Sequence, residues 1–525
     1  MGLVASPLSF DEQWRAYYVS LGTGLWDQLD TSSAPFTAGW VGLEQAAAAL
    51  AGTTEWGLRL PMALAVPATA LATYWLGRRW LGPPAAFLPA AAVAVNGSVL
   101  VYGLLVKPFV FNGLWTVMAL LVWLWLDEEG RRWPGRALGH LALGLVTVAT
   151  VASGLVVAPL LLLGLVRAAH GGWRRLLGQL ALSALTAAVA LAHLLVFIVP
   201  QTRVLAAPYW VGHFAPVDEG GAAVLWFVWQ QLAGYLPELA TSTYLAPDLD
   251  DPLWRQATKV PPPPGLGLLV SVALLVALAA GVASCWRRRD GQALLVAVGG
   301  ALAGQLAGAM LHVWPFGLVR ANLFLLPLLY LLVAVGAARL GAVALARRPP
   351  VPRWAALAPV LLVAAAVVLA GGFAARNLGS LYRHWDAPGL ATGVRAAVAE
   401  VRGHAGAGDL VIVTGNQRGW SWYMERYQGF PAPVGQAPPV SAERTLHSAL
   451  FRPDQLQPFL AAHPRAASLF VFEFVYDTKP RTLRLVGARR SRLAAQGWCP
   501  RRRWEYPLTG VVTQYRHTGG CALAV

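Results

Sequence analysis

Two adjacent acidic residues, Asp11 and Glu12, begin a segment rich in aromatic side chains near the start of the chain. A carboxylate in such a position can act as a general base that takes the proton from an acceptor hydroxyl. In a structural interpretation, Ser9 or Asp11 caps a short helix whose Trp14 and Tyr17 lie at a membrane surface. The spacing alone favours the structural interpretation and leaves the chemical one open.

Two basic residues, Lys107 and Arg320, are candidates for binding a phosphate group. Lys107 lies at the end of an apolar segment, where a lysine can also simply extend its amine to the membrane surface. Arg320 follows a Pro-Phe-Gly turn at 315–317, and a guanidinium binds phosphate through two N–H groups at once. For Arg320 a structural role and a lipid phosphate are both open.

The composition places these residues in a membrane protein. The chain has 525 residues, of which 57% are hydrophobic and 13% are charged. Soluble proteins have about 45–50% apolar and about 25% charged residues, so a soluble enzyme, a disordered chain and a disulfide scaffold are excluded. The net charge of +16 lies largely in short loops, as in membrane proteins, so it does not indicate nucleic-acid binding.

Ten apolar runs approach the roughly 20 residues that a membrane-spanning helix needs. They lie at about 60–77, 84–104, 109–126, 137–152, 153–167, 178–199, 265–286, 291–312, 321–341 and 355–371. None of them contains Asp or Glu, which argues against an ion-coupled transporter, although His140 and His193 fall within them.

Arginines alternate between the loops and predict the orientation of the bundle. One set of loops holds Arg78, Arg79, Arg131, Arg132, Arg136, Arg167, Arg174, Arg175, Arg287, Arg288, Arg289, Arg347, Arg348 and Arg353. The short opposite loops hold little more than Lys107 and Arg320. Because basic loops stay in the cytoplasm, residues 1–59, 200–264 and 372–525 are predicted to lie outside. Residues 1–20 contain no signal peptide or anchor, which favours a missing first span.

Three regions are therefore predicted. Residues 1–59 form an outer catalytic loop with interfacial helices, and 60–371 form an all-α polytopic bundle that includes the outer loop 200–264. Residues 372–525 form a small extracytoplasmic α/β domain, with a helix at 388–403 and strands at 409–414, 468–473 and 511–515. Cys499 and Cys521 can pair if this domain lies outside the cytosol.

Five sequence elements, in order, resemble the family 39-like group of GT-C glycosyltransferases, which includes protein O-mannosyltransferases and the aminoarabinose transferase of lipid A. The elements are Asp11-Glu12, Ala34-Pro35-Phe36, Gly52 to Pro61 with Glu55 and Arg59, Tyr102 to Asn112, and Trp314 to Pro327 with Arg320. Three features depart from the group's pattern: its first transmembrane helix is missing, Asn112 replaces a carboxylate, and Phe109 replaces a tyrosine.

The resemblance implies an inverting hexosyl- or pentosyltransferase of the cell membrane that uses a polyprenyl-phosphate-linked sugar and a lipid, glycan or protein acceptor. It implies that Asp11 is the base and that Glu12 supports it or holds Mg²⁺ or Mn²⁺. Lys107 and Arg320 would bind the donor phosphate. The substrate pocket would include Tyr102, Asn112 and Arg59, and Asp11, Lys107 and Arg320 are expected to share one pocket at the outer membrane surface.

Two alternatives remain at this stage. A flippase or exporter of a lipid-linked sugar would function without Asp11. A non-catalytic GT-C relative is suggested by Asn112, because a neutral amide cannot act as a base and cannot bind a cation with charge.

Overall fold

A computed structural model describes residues 8, 10–20, 37–128, 132–202, 212–236, 239, 266–346, 371–372, 375, 392–430, 440–447, 453–474, 490–506 and 510–518. Several predicted features lie outside these residues. They are nearly all of the tenth apolar run, the arginines at 347, 348 and 353, the motif at 34–36, Cys521 and much of the 200–264 loop.

The chain forms two compact units. The first, here called the polar unit, comprises 1–22, 45–60 and 382–525, and the second, the helical unit, comprises 23–44 and 61–381. The N-terminal 59 residues, predicted as one region, are thus divided between the two units. Residues 1–22 and 45–60 belong to the same unit as the C-terminal α/β domain.

Long helices make up most of the helical unit. In chain order, the described helices of seven or more residues up to Ala346 are α1 Phe10–Ser20, which belongs to the polar unit, α2 Ala38–Ala51, α3 Glu55–Gly77, α4 Pro83–Val95, α5 Gly97–Gly103, α6 Phe109–Leu126, α7 Trp133–Ala149, α8 Gly154–His170, α9 Trp173–His193, α10 Gly221–Ala233, α11 Leu266–Trp286, α12 Arg289–Met310 and α13 Leu326–Ala346. Seven helices of the described chain are long and apolar enough to cross a membrane, or eight if the bent pair α4 and α5 is one span.

Polar side chains stabilise two breaks between these helices. At the 57° bend between α4 and α5, the side chain of Asn96 accepts a hydrogen bond from the Val99 amide at 2.8 Å and donates one to Tyr330 at 3.1 Å. Between α7 and α8, the Ser153 hydroxyl donates to the Val146 carbonyl at 3.0 Å. Buried backbone groups freed by a helix break need such partners, so these residues fix where the spans divide. The second break matches the predicted division at Ser153 and Gly154.

A five-stranded mixed sheet forms the core of the polar unit. Its strands are β1 Leu410–Thr414, β2 Thr445–His447, β3 Ser468–Phe474, β4 Trp498–Tyr506 and β5 Gly510–His517, and their order is β2-β1-β3-β5-β4. The first three are parallel, and β5 is antiparallel to both β3 and β4. The helices are α14 Thr392–His404, α15 Gln417–Ser421 and α16 Pro453–Ala461.

The three predicted strands correspond to β1, β3 and β5, and the predicted helix to α14. Residues of β1 and β3 are almost entirely buried, so they read in the sequence as continuous apolar runs. Strand β4 was not predicted because arginines occupy positions 501–503. This strand is at the edge of the sheet, where charged side chains remain in solvent and discourage pairing with another chain.

Candidate functional site

Helix α1 carries the predicted base. Asp11 is the second residue of α1, and its side chain lies outside the described part of the chain. The next residue, Glu12, is fully buried with Arg59, which lies near the start of α3. The Nε of Arg59 donates to Oε1 of Glu12 at 3.0 Å, and Nη2 donates to Oε2 at 3.1 Å. Both oxygens of Glu12 are therefore engaged by one guanidinium.

Residues from the C-terminal domain fix the position of α1 within the polar unit. The Leu8 amide donates to the Tyr423 hydroxyl at 2.9 Å, and Asn416 donates through Nδ2 to the Gln13 side chain at 2.7 Å. Gln13 in turn donates to the Leu8 carbonyl at 2.7 Å. Asn416 adopts a left-handed conformation with φ of 38°, which asparagine tolerates better than most residues. These bonds connect α1 to a segment about four hundred residues further along the chain.

Arg418 packs against the aromatic side chains of α1. Its guanidinium carbon is 4.3 Å from the ring centre of Trp14 and 4.7 Å from that of Tyr18. Such cation–π contacts are worth about 0.5–2 kcal/mol, depending on how far they are shielded from water. Trp14, which was interpreted as a residue at the membrane surface, thus packs against Arg418.

A second ion pair, with a buried carboxylate and a partly exposed guanidinium, lies at the start of α3. Arg395 of α14 donates to Glu55 at 3.0 Å, and Tyr423 donates to the same carboxylate at 3.5 Å. Burial and the nearby Glu55 carboxylate raise the pKa of Tyr427. Burial, together with the negative charge of Glu55, raises the pKa of Tyr423 well above its usual value. The Tyr423 hydroxyl therefore remains neutral, and it connects the residue Leu8 before α1 with the start of α3 by accepting from the Leu8 amide and donating to Glu55.

In the helical unit, Lys107 lies in the turn between α5 and α6. Its side chain is only 4% exposed, and its backbone amide donates to the Leu105 carbonyl at 2.7 Å. A lysine that merely extended its amine to water would be exposed, so this alternative does not hold. Burying an ammonium is costly unless it is paired, and buried lysines are accordingly typical of functional sites.

Two predicted residues, Tyr102 and Arg320, contact the ring of Phe109, which follows Lys107 by two positions. The Phe109 ring packs edge-on against Tyr102, with 5.1 Å between the ring centres. The guanidinium of Arg320 lies over the same ring at 5.6 Å. We call Tyr102, Lys107, Phe109 and Arg320 the cation cluster. The phenylalanine that replaces the family's tyrosine thus supports Arg320 through its ring.

Asn322 builds the turn that presents Arg320. Its amide nitrogen donates to the carbonyls of Pro315 and Gly317, each at 2.9 Å, and its oxygen accepts from the Trp314 indole at 2.8 Å. Tyr235 also donates to the Gly317 carbonyl, at 3.0 Å. Asn322 was not among the predicted site residues. The available signal was an asparagine within an otherwise apolar segment directly after Arg320, since a buried amide there must find partners.

Asn112 has a structural role in α6. Its oxygen accepts a hydrogen bond from the Thr150 hydroxyl at 2.6 Å, at the break between α7 and α8. A carboxylate could accept this bond equally well, so the hydrogen bond does not require the amide. Asn112 was predicted to be a pocket residue, but the oxygen that it would offer to a substrate already accepts this bond from Thr150.

The chain is similar over nearly its whole length to ArnT from Cupriavidus metallidurans. With the apo structure the TM-score is 0.53 at 13% sequence identity, covering 98% of this chain and 95% of that chain. The structure bound to undecaprenyl phosphate gives a TM-score of 0.51 with the same identity and coverage. The chain has the GT-C glycosyltransferase fold.

A second GT-C glycosyltransferase, the oligosaccharyltransferase of Archaeoglobus fulgidus, is similar at 15% identity. Its complex with zinc and sulfate gives a TM-score of 0.50, covering 89% of this chain and 64% of that chain. The form tethered to an acceptor peptide gives 0.50, covering 98% and 70%. Neither a protein-family model nor a curated protein matches the sequence. At these identities the likeness establishes the GT-C fold.

Within this GT-C chain the predicted site residues fall into two groups. Asp11, Glu12 and Arg59 belong to the polar unit, whereas the cation cluster and Asn112 belong to the helical unit. Each group is well defined within its own unit. The expectation that Asp11, Lys107 and Arg320 share one pocket stays a prediction.

Of the two predicted cation ligands, Glu12 is engaged by Arg59, and the side chain of Asp11 lies outside the described part of the chain. Both oxygens of Glu12 are bound to Arg59, and Asn112 is neutral with its oxygen engaged by Thr150. Among the described residues no group of three or more His, Cys, Asp or Glu side chains is placed to hold a metal. We therefore derive no reaction step through a metal ion.

Proposed function

We propose that the chain is an inverting glycosyltransferase that moves a sugar from a polyprenyl phosphate to an acceptor hydroxyl at the outer membrane face. The supporting observation is the cation cluster, in which the guanidinium of Arg320 lies over the Phe109 ring and the nearby Lys107 is buried. A structural neighbour with this fold binds undecaprenyl phosphate. The acceptor is a lipid, a glycan or a protein.

The cation cluster suits a leaving phosphate. When the acceptor oxygen bonds to the anomeric carbon, the bond from that carbon to the phosphate oxygen breaks and its electron pair stays on the phosphate. The phosphate gains negative charge, and fixed positive groups in a water-poor site stabilise that charge strongly. Lys107 provides a compact charge, and Arg320 a planar fork that can bind two phosphate oxygens.

Asp11 is proposed to accept the proton that the acceptor hydroxyl loses. Glu12 is less suited to this role because the Arg59 guanidinium already occupies both of its oxygens. We assign Glu12 and Arg59 the role of holding α1, and hence Asp11, in place. The predicted role of Arg59 as a pocket residue becomes a positioning role in this proposal.

An extracytoplasmic polar unit is supported by its cysteine chemistry. Cys499 on β4 is disulfide-bonded, whereas Cys285 of the helical unit is a free thiol. Disulfides persist in oxidising compartments and are rare in the cytosol. This agrees with the arginine distribution, which predicts that the loops around Arg78 and Arg174 are cytoplasmic.

Replacing Asp11 by Asn and measuring sugar transfer from a panel of labelled polyprenyl-phosphate donors tests the proposal. A positioned general base contributes about 10²–10⁴-fold, so transfer should fall by at least about 100-fold. The matched control is Asp218→Asn, since Asp218 is an exposed aspartate of the helical unit. Undiminished transfer by Asp11→Asn would reject Asp11 as the base. No transfer by the parent protein with any donor would favour an exporter or a non-catalytic relative.

A further inference from the structure

An apolar groove opens between α8 and α12 at the arginine-rich end of the helical unit. It has a volume of about 450 Å³, and its lining includes Leu162 and Val166 of α8, Val296 and Gly299 of α12, and Trp286 at the end of α11. Residues on each helix recur at the spacing of one helical face, so the groove runs along both helices. Its long apolar walls suit a hydrocarbon chain.

Two glycines of α12 shape this groove. A methyl group at Gly300 would collide with the ring of Pro159, so α8 and α12 are in close contact there. A methyl group at Gly299 would meet no atom within 4 Å, so the groove is open at that point. The two helices are therefore in contact at Gly300, and the groove is open at Gly299.

Arginines surround the end of the groove. Arg167 follows Val166 directly, and its guanidinium donates to Gln292, a lining residue, at 3.2 Å. Arg167 and Arg289 both bind Asp127, at 2.7 and 3.0 Å, so two positive charges share one carboxylate. Arg287 follows Trp286 and is exposed. Within the described chain no ion pair involves Arg287, so this end of the groove carries excess positive charge.

We propose that this groove binds one acyl chain of an anionic phospholipid, whose headgroup phosphate is held by Arg287 and Arg289. Basic pockets between transmembrane helices on the cytoplasmic side bind anionic headgroups, and the charge at the groove end selects against neutral lipids. This site lies at the loops opposite to those of Lys107 and Arg320 in the predicted topology. It is independent of the proposed transferase reaction.

Native mass spectrometry of the full chain in mild detergent tests this site with added phosphatidylglycerol and phosphatidylcholine. We expect the protein to retain phosphatidylglycerol preferentially. Gly299→Leu should lower that retention to the level of phosphatidylcholine because the new side chain fills the groove. Gly178→Leu is the matched control, since a side chain at this glycine of α9 also meets open space. Arg287→Gln should lower retention about fivefold, which corresponds to one basic residue near an anionic headgroup.

Three outcomes would overturn the proposal. Equal retention by Gly299→Leu and Gly178→Leu would show that the lipid does not lie in the groove, and equal retention of both lipids would show that the arginines do not select it. Displacement of phosphatidylglycerol by an equal amount of undecaprenyl phosphate would assign the groove to a polyprenyl chain. Arg287→Gln changes an exposed side chain, so its result does not depend on correct repacking of the groove.

Discussion

The ion pair between Glu12 and Arg59 changes the role expected for Glu12, because Arg59 occupies the carboxylate that a proton or a cation would need. As a pair of sequence letters, Asp11 and Glu12 are equivalent candidates for a base or a cation ligand. The structure commits Glu12 to a fully buried guanidinium, whereas Asp11 is assigned its role by the family resemblance. Sequence adjacency predicted that the two carboxylates belong to one helix, but not that Arg59, 47 residues later, would take one of them.

Glu12→Gln should destabilise the protein because it leaves the Arg59 charge buried without its carboxylate. Breaking a buried pair by removing one partner costs about 3–5 kcal/mol. Glu128→Gln is the matched control, since Glu128 pairs with Arg79 at 2.8 Å on the exposed surface, where a pair is worth about 0–1 kcal/mol. Thermal melting of both variants in detergent measures the difference. Equal melting temperatures would contradict the structural role of the pair.

Arg320→Lys should reduce transfer although it preserves the charge. A lysine cannot reproduce the planar fork or its contact with the Phe109 ring, and loss of one well-placed donor to a developing negative charge costs about 10²–10³ in rate. Arg339→Lys, in an exposed part of α13, is the control. Steady-state transfer rates at saturating donor provide the measurement. A rate for Arg320→Lys equal to that of the control would remove Arg320 from the phosphate site.

Among the elements, α1 depends most on distant parts of the chain. Its amphipathic aromatic spacing predicted a helix, and the structure has one at Phe10–Ser20. Its partners Asn416, Arg418 and Tyr423 could not be predicted, because a single sequence does not show which residues meet over such separations. The strands β1, β3 and β5 were predictable for the opposite reason, since burial on both faces leaves a continuous apolar run.

Tyr423→Phe should loosen α1 while leaving the aromatic packing in place. The change removes the acceptor of the buried Leu8 amide and one donor to Glu55, and an unsatisfied buried group costs about 1–3 kcal/mol. If Tyr423 positions Asp11, kcat should fall with little change in KM for the donor. Tyr17→Phe, on the less buried side of α1, serves as the control. Unchanged kcat together with lowered stability would leave Tyr423 a purely structural residue.

The short strand β2 introduces a dependence on pH. Burial lowers the pKa of His447, whose Nε2 lies 3.4 Å from the Ser421 hydroxyl. Folding therefore favours the neutral form of His447 over the protonated form, compared with the unfolded chain. Its contribution to stability is complete above pH about 6.5 and is lost as the pH falls toward the lower folded pKa.

His447→Gln should consequently flatten the acid side of the melting-temperature profile between pH 7 and about 5, relative to the parent protein. The matched control is His463→Gln, which replaces a partly exposed histidine after α16. Differential scanning fluorimetry across this pH range measures both variants. A His447→Gln profile parallel to that of the parent would contradict the role of burial.

At the scale of the whole molecule, composition and periodicity predicted the class of protein correctly. Most of the predicted apolar runs correspond to helices of the described chain. The GT-C resemblance predicted from the order of the motifs agrees with the observed fold. The division into two units was not predicted, because the sequence presents residues 1–59 as one continuous outer segment. Contacts of Arg59 and Glu55 with distant parts of the chain place their segment in the polar unit.

The membrane topology gives a prediction that does not require activity. A cysteine placed at the exposed Gly408 should react with a membrane-impermeant thiol reagent in intact cells. A cysteine at the exposed Arg174 should react only after the membrane is permeabilised. Labelling of both positions in intact cells, or of neither, would contradict the predicted orientation.

The bond between Gln13 and Asn416 joins residues 403 positions apart, and this has a consequence for biosynthesis. The ribosome produces α1 long before it produces the partners of α1, which lie after β1. Helix α1 must therefore wait through insertion of the whole bundle before Asn416, Arg418 and Tyr423 emerge. A nascent chain that stalls within the bundle leaves Asp11 on an unsupported segment, so α1 reaches its final position only after these partners have been translated.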